Sequence, residues 1–251
     1  MQSPLFAHND QQTQERWSLQ NKQMLRVALE GHDDILARKG TMVAYQGLVE
    51  FDAEFQSNSQ SRSRAQTGEG LDLMRCHGQG IVYLANLAQH IHVVEVDHEG
   101  LTVDSSYVLA MDSGLHHEVI AVDSLYGISG SGKYQLNITG SGRVALMTSG
   151  APLMLQVTPD KYVNCDADAI VAWSTGLRVQ MQAQTHSSGV WRRRGSTGEG
   201  WELSFMGTGF ALVQPSELLP PQGAQIGSGV AAQYGMGQQG VRAQNQGNAW
   251  S

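Results

Sequence analysis

A passage that the chain writes twice limits its fold more than any other feature. Gly78-Gln79-Gly80-Ile81-Val82-Tyr83-Leu84 returns as Gly140-Ser141-Gly142-Arg143-Val144-Ala145-Leu146. Val108-Leu109-Ala110-Met111-Asp112-Ser113-Gly114-Leu115 returns as Ile170-Val171-Ala172-Trp173-Ser174-Thr175-Gly176-Leu177. The offset is 62 residues at both ends (142 − 80 and 172 − 110), and at that offset Leu101-Thr102-Val103-Asp104 falls on Val163-Asn164-Cys165-Asp166. A repeat of this length is one supersecondary unit whose apolar face needs a neighbouring copy to cover it.

Stacking the Gly-x-Gly elements brings out a third copy. Met74, Cys76, Gly78 and Gly80 correspond to Leu136, Ile138, Gly140 and Gly142, and again to Leu203, Phe205, Gly207 and Gly209. Apolar residues two apart on both sides of each Gly pair read as strands. The glycines read as a bulge, a bend or a close backbone approach. Three β-units follow, over residues 22–88, 89–150 and 151–216. Each opens on an alternating strand: Leu25-Val27-Leu29, Val94-Val96, or Met154-Leu155-Val157. Each carries a hydrophobic-Ala element, taken as Ala37, Ala110 and Ala172, and a Gly- or Ser-rich hairpin before its last strand. In the first unit Ile35-Leu36-Ala37 begins a strand that Met42 to Phe51 continues. Residues 1–21 form a polar N-terminal arm, and residues 56–70 suit an exposed, mobile hairpin loop. After Pro220-Pro221, residues 217–251 hold Gly, Gln and Ala without periodicity and predict a flexible tail, with Trp250 a sticker.

Totals narrow the function. A hydrophobic content of 41% supports a core, while 29 glycines favour turns over long helices. The net charge of −7 argues against a nucleic-acid partner, which needs a concentrated basic face. Two cysteines make no disulfide framework. Met1-Gln2-Ser3-Pro4 has no signal-peptide character, and the longest apolar stretch, around Ile81 to Ala88, is too short to span a bilayer. A cytoplasmic location is expected.

Several motifs invite a chemical reading. Gly127-Ile128-Ser129-Gly130-Ser131-Gly132-Lys133 has P-loop spacing, but Tyr134 stands where a magnesium-binding hydroxyl belongs, and Tyr134-Gln135-Leu136-Asn137-Ile138 alternates like a strand. It reads as a hairpin turn. His90-Ile91-His92 with Glu95 is similar to part of a cupin metal set; on a strand His90 and His92 share a face and Glu95 takes the other. Surface imidazoles are the plainer reading. In His116-His117-Glu118 the two imidazoles face opposite ways and read as surface. Cys76 and Cys165 occupy positions where other copies have Ile, Phe or Val, and read as small buried hydrophobes. Trp191-Arg192-Arg193-Arg194 between Gly189 and Gly195 could engage anionic lipid, or form a solvated hairpin tip. No catalytic, cofactor or metal residue is assigned, and no cofactor is expected.

Gly40-Thr41-Met42-Val43-Ala44-Tyr45-Gln46-Gly47, Gly78-Gln79-Gly80, Val108-Leu109-Ala110-Met111-Asp112 and Phe205-Met206-Gly207-Thr208-Gly209-Phe210 resemble one family. It is the bacterial family related to the mitochondrial protein named for altered inheritance of mitochondria, number twenty-four. Phe210-Ala211-Leu212-Val213-Gln214-Pro215-Ser216 resembles its actinobacterial members. The resemblance covers about residues 20 to 217 and implies three tandem domains similar to the tryptophan-RNA-binding attenuation protein, each a short double-stranded β-helix. It also implies assembly into rings, with trimers the expected size, and brings no catalytic residues. The expectation is an all-β protein of three tandem β-sandwich or short β-helix units, non-enzymatic and homo-oligomeric. It would act as a scaffold for membrane-associated or other protein partners. The alternatives are a small-ligand or metal-binding module using His90 and His92, and a peripheral lipid binder using Arg192 to Arg194.

Overall fold

Apolar residues spaced by two produce seventeen strands and no α-helix among the described residues, which in the computed structural model are 3–11, 13–53, 71–121, 134–183 and 201–216. The strands are β1 (Trp17–Asn21), β2 (Met24–Glu30), β3 (Ile35–Arg38), β4 (Met42–Ala53), β5 (Leu73–Leu84), β6 (His90–Asp97), β7 (Leu101–Val103), β8 (Val108–Asp112) and β9 (His116–Ala121). They continue as β10 (Tyr134–Thr139), β11 (Ser141–Thr148), β12 (Leu153–Val157), β13 (Val163–Asp166), β14 (Ile170–Ser174), β15 (Arg178–Ala183), β16 (Trp201–Met206) and β17 (Gly209–Val213). By contacts the chain divides into Met1–Pro220 and Pro221–Ser251. The second part lies outside the described residues, as do the loop at 56–70, the glycine loop 127–133 and Trp191 to Arg194.

Three sheets result. An eight-stranded sheet runs β1-β2-β5-β3-β8-β11-β6, with β4 on the other edge of β5; a six-stranded sheet runs β12-β17-β14-β7-β10-β9; a three-stranded sheet is β13-β16-β15. The large sheet curls nearly into a barrel, because the Ile91 amide at the start of β6 donates to the Lys22 carbonyl between β1 and β2 at 2.8 Å.

The pairings recur. β11 lies between β6 and β8, and β10 between β7 and β9; likewise β17 lies between β12 and β14, and β16 between β13 and β15. Earlier in the chain a related scheme is drawn in fewer strands, with β4 on one edge of β5 and β2 and β3 on the other. β5 stands for β10 and β11 in one strand, and β4 for β8 and β9 in one strand. The register fixes the counterparts: Ala44 faces Tyr83, Ala110 faces Ala145, and Ala172 faces Leu212, each beside a one-residue register shift. The hydrophobic-Ala element of the first copy is therefore Met42-Val43-Ala44-Tyr45, which corrects the assignment to Ala37. Ala37 belongs to β3, the counterpart of β7, since Ile35 faces Cys76 as Leu101 faces Ile138. β3 and β4 are also two strands and not one, with Gly40 turning the chain between them at φ +81°.

Three apolar cores separate the layers. The first, inside the curled sheet, holds Leu25, Val27, Ile35, Cys76, Val82, Leu84, Leu109 and Met147. The second, between the large and six-stranded sheets, holds Val103, Tyr107, Met111, Ile138, Val144 and Leu146. The third, under the three-stranded sheet, holds Val163, Cys165, Trp173, Met181, Leu203 and Phe205. β11 contributes to two of them at once: Val144 and Leu146 turn to the second, Ala145 and Met147 to the first. Burial on both faces explains why Val108-Leu109-Ala110-Met111 and Ile170-Val171-Ala172-Trp173 are unbroken apolar runs and do not alternate.

Candidate functional site

β6 presents the imidazoles. His90 and His92 lie on one face opposite Thr148 and Leu146 of β11, while Glu95 lies opposite Arg143 on the other face, exposed. His92 Nε2 is 2.9 Å from Thr148 Oγ1, and that hydroxyl donates to the Gly150 carbonyl at 2.6 Å. The hydroxyl proton is thus committed, so Nε2–H donates and the lone pair of His92 sits on Nδ1. Burial, then the neighbouring His90, lower the pKa of His92 from its ordinary value, so the ring stays neutral at neutral pH. The arrangement is a cross-strand tie at the end of a ladder. His116 and Glu118 are exposed on β9 and His117 is half-buried, with the alternation a strand requires.

The thiols are core atoms. Cys76 is fully buried, and burial pushes its thiol up to about 12. Cys165 is pushed up to about 11 by burial, then by Glu202 and Asp166. Neither supplies thiolate at neutral pH, and a nucleophile must be thiolate.

A well-connected polar group lies outside the chemical motifs that the sequence offers. Asp112, at the end of β8, accepts from Arg16 Nη1 and from Trp17 Nε1 (3.2 Å) at Oδ1, and from the Arg143 amide (2.7 Å) at Oδ2. It ties the N-terminal arm to the glycine corner. Its counterpart Ser174 accepts from the Phe210 amide at 3.1 Å, the same bond in the next copy. The repeated Asp112-Ser113-Gly114 and Ser174-Thr175-Gly176 were the available signal. Glu30, His32 and Asp33 place one ligand atom each within 4.8 Å of one another. They are exposed to half-buried, and Asp33 also lies 3.7 Å from Arg16 Nε. A cluster of that kind is a common feature of acidic turns.

Among the described residues, no helix is long and apolar enough to cross a membrane. The crystal structure of a Streptococcus pyogenes protein superimposes with a TM-score of 0.62 at 20% identity, covering 80% of this chain and 92% of that one. At that identity the likeness concerns fold. No curated protein matches the chain. The family model described as mitochondrial biogenesis AIM24 matches residues 17–216, which takes in every strand described above. The chain therefore belongs to the mitochondrial biogenesis AIM24 family.

Proposed function

We propose that the protein is a non-enzymatic β scaffold that assembles with copies of itself, built from three copies of one unit over residues 22–88, 89–150 and 151–216. The supporting observation is a mismatch at the two ends of the series. β3 pairs with β8, and β7 pairs with β14, so the short second strand of one copy docks on the hydrophobic-Ala strand of the next. β13 is the third strand of that docking type, and its only partner among the described strands is β16. β4 is the third strand of the receiving type, and its only described partner is β5. The counterparts of its first half, β8 and β14, are buried on both faces, whereas β4 leaves Val43 51% and Tyr45 50% exposed there, and Leu48 81% exposed further along. Long apolar strands with an open edge are avoided in monomers.

Docking β13 of one copy on β4 of the next would place Val163, Asn164 and Cys165 opposite Gln46, Tyr45 and Ala44, in the register of the internal pairs. Such a contact is head-to-tail and closes a ring when the rotation allows; three chains is the size we expect. Light scattering on the full chain tests the scaffold reading, and a monomeric mass would overturn it. The register has its own test. Ala44→Cys puts a second thiol opposite Cys165 of a neighbouring copy, and mild oxidation should link chains covalently, since facing strand positions lie within disulfide reach. The same treatment of the unsubstituted chain should link none.

A further inference from the structure

The face of β1, β2 and β5 turned away from the first core carries a row of polar side chains. Ser18 stands opposite Arg26, and Arg26 opposite Tyr83, so three neighbouring strands present a hydroxyl, a guanidinium and a phenol side by side. Trp17, Leu25, Val27, Val82 and Leu84 point the other way, into the core. Arg26 is only 4% exposed and Tyr83 only 6%. Among the described residues the guanidinium donates once, from Nη1 to the Glu15 carbonyl at 3.2 Å. Arg26 Nε, Ser18 Oγ and the Tyr83 hydroxyl are enclosed, and none has a hydrogen-bond partner among the described residues.

A charge taken out of water without a counter-charge is costly, and enclosed donors without acceptors add to that cost. The fold does not impose this cost. Positions that correspond to Arg26 and Tyr83 are Val93 and Ala145 in the second copy, and Met154 and Leu212 in the third, each pair facing across its own ladder. The polar row is peculiar to the first copy.

We propose that Ser18, Arg26 and Tyr83 bind a small soluble oxyanion of the phosphate class. The planar fork of a guanidinium matches two oxygens of such a group, and charge-assisted bonds of this kind are the strong ones. A hydroxyl on one side and a phenol on the other supply donors to further oxygens. A tetrahedral group has those oxygens; a planar carboxylate has only two. The Glu15 carbonyl, the acceptor of Arg26 Nη1 among the described residues, borders the row.

Isothermal titration of the full chain with inorganic phosphate, against chloride at matched ionic strength, tests the assignment. Saturable binding is expected, weakened at least about tenfold by Arg26→Met and several-fold by Tyr83→Phe, which removes one oxygen and keeps the ring. Tyr83→Phe and Ser18→Ala keep the test open if Arg26→Met fails to fold. Absence of saturable binding, or equal affinity in all variants, would overturn the proposal. So would acetate binding as tightly as phosphate. A changed assembly mass in the Arg26 variant with phosphate binding intact would also overturn it, and would assign the row to self-association.

Discussion

The glycine pair of the first copy and that of the second occupy the same place in the pattern and do different work. Gly140 separates β10 from β11 and Gly142 lies just inside β11, and each lies under a side chain: a Cβ on Gly140 would sit 3.3 Å from Leu115 Cδ2, and one on Gly142 3.1 Å from Asp112 Oδ2 and 3.2 Å from Leu115 Cγ. Gly78 and Gly80 interrupt nothing. β5 runs straight through them because β4, itself unbroken, lays its own backbone against theirs, so that a Cβ on Gly80 would strike the Gln46 carbonyl and one on Gly78 the Leu48 carbonyl. A side chain can move aside, whereas a paired backbone cannot. One sequence motif therefore marks a bend under movable side chains in one place and a close contact between paired backbones in the other.

Substitution at the two corners separates these roles. Gly80→Ala should destabilise by about 3 kcal/mol or more, since strand pairing itself must shift, and thermal unfolding reads it directly. Gly140→Ala, at positive φ but against a flexible leucine, should cost about 1–2 kcal/mol, and equal costs would erase the distinction. Next comes the residue beside the second corner. Asp112→Ala strips an acceptor from two side chains and one amide and should cost about 2–3 kcal/mol, against about 1 kcal/mol for Ser174→Ala, whose hydroxyl accepts one amide.

The thiols extend the contrast to pH. Cys76 titrates near 12 in the fold and near 9 when unfolded, so above pH 9 the unfolded chain releases its proton first and stability falls as pH rises. By pH 10 the loss is about 1.4 kcal/mol. Because Cys165 is raised less, to about 11, its share of the loss should level off at a lower pH. Chemical denaturation of Cys76→Ala and Cys165→Ala chains across pH 8–11 separates the two, and identical slopes would contradict the ranking. The smallest effect belongs to β4. Leu48→Ser should change the stability of the single chain by no more than about 0.5 kcal/mol, because little contact is lost, while lowering the assembled mass.

Much of the strand plan is legible because apolar residues recur two apart on both sides of each Gly pair. The 62-residue offset matched Leu101 and Val103 to Val163 and Cys165, and these pairs do occupy β7 and β13. Gly78, Gly140 and Gly207 do share one backbone state, with φ between +105° and +121°. The first copy was harder to read. Its fused strands hide the boundaries that Gly140 and Gly207 expose elsewhere, and so Ala37 was matched in place of Ala44. Periodicity also placed His90 and His92 on one face. It could not reveal the row of Ser18, Arg26 and Tyr83, which exists only once the β1–β2 hairpin has settled its register against the distant β5. The same holds for Asp112 and Arg16, which lie ninety-six residues apart.

The strands buried on both sides carry a last consequence. β8 and β11 wall off the first core from the second, and β14 and β17 the second from the third. No core owns all of its walls. Cutting the chain after Gly150 would not release a smaller folded protein; it would bare the apolar flank that Val144 and Leu146 line together with the missing Val171, Ala172 and Leu212. The copies are legible one at a time in the sequence, yet they should melt together, as a terrace of houses falls when a party wall is removed.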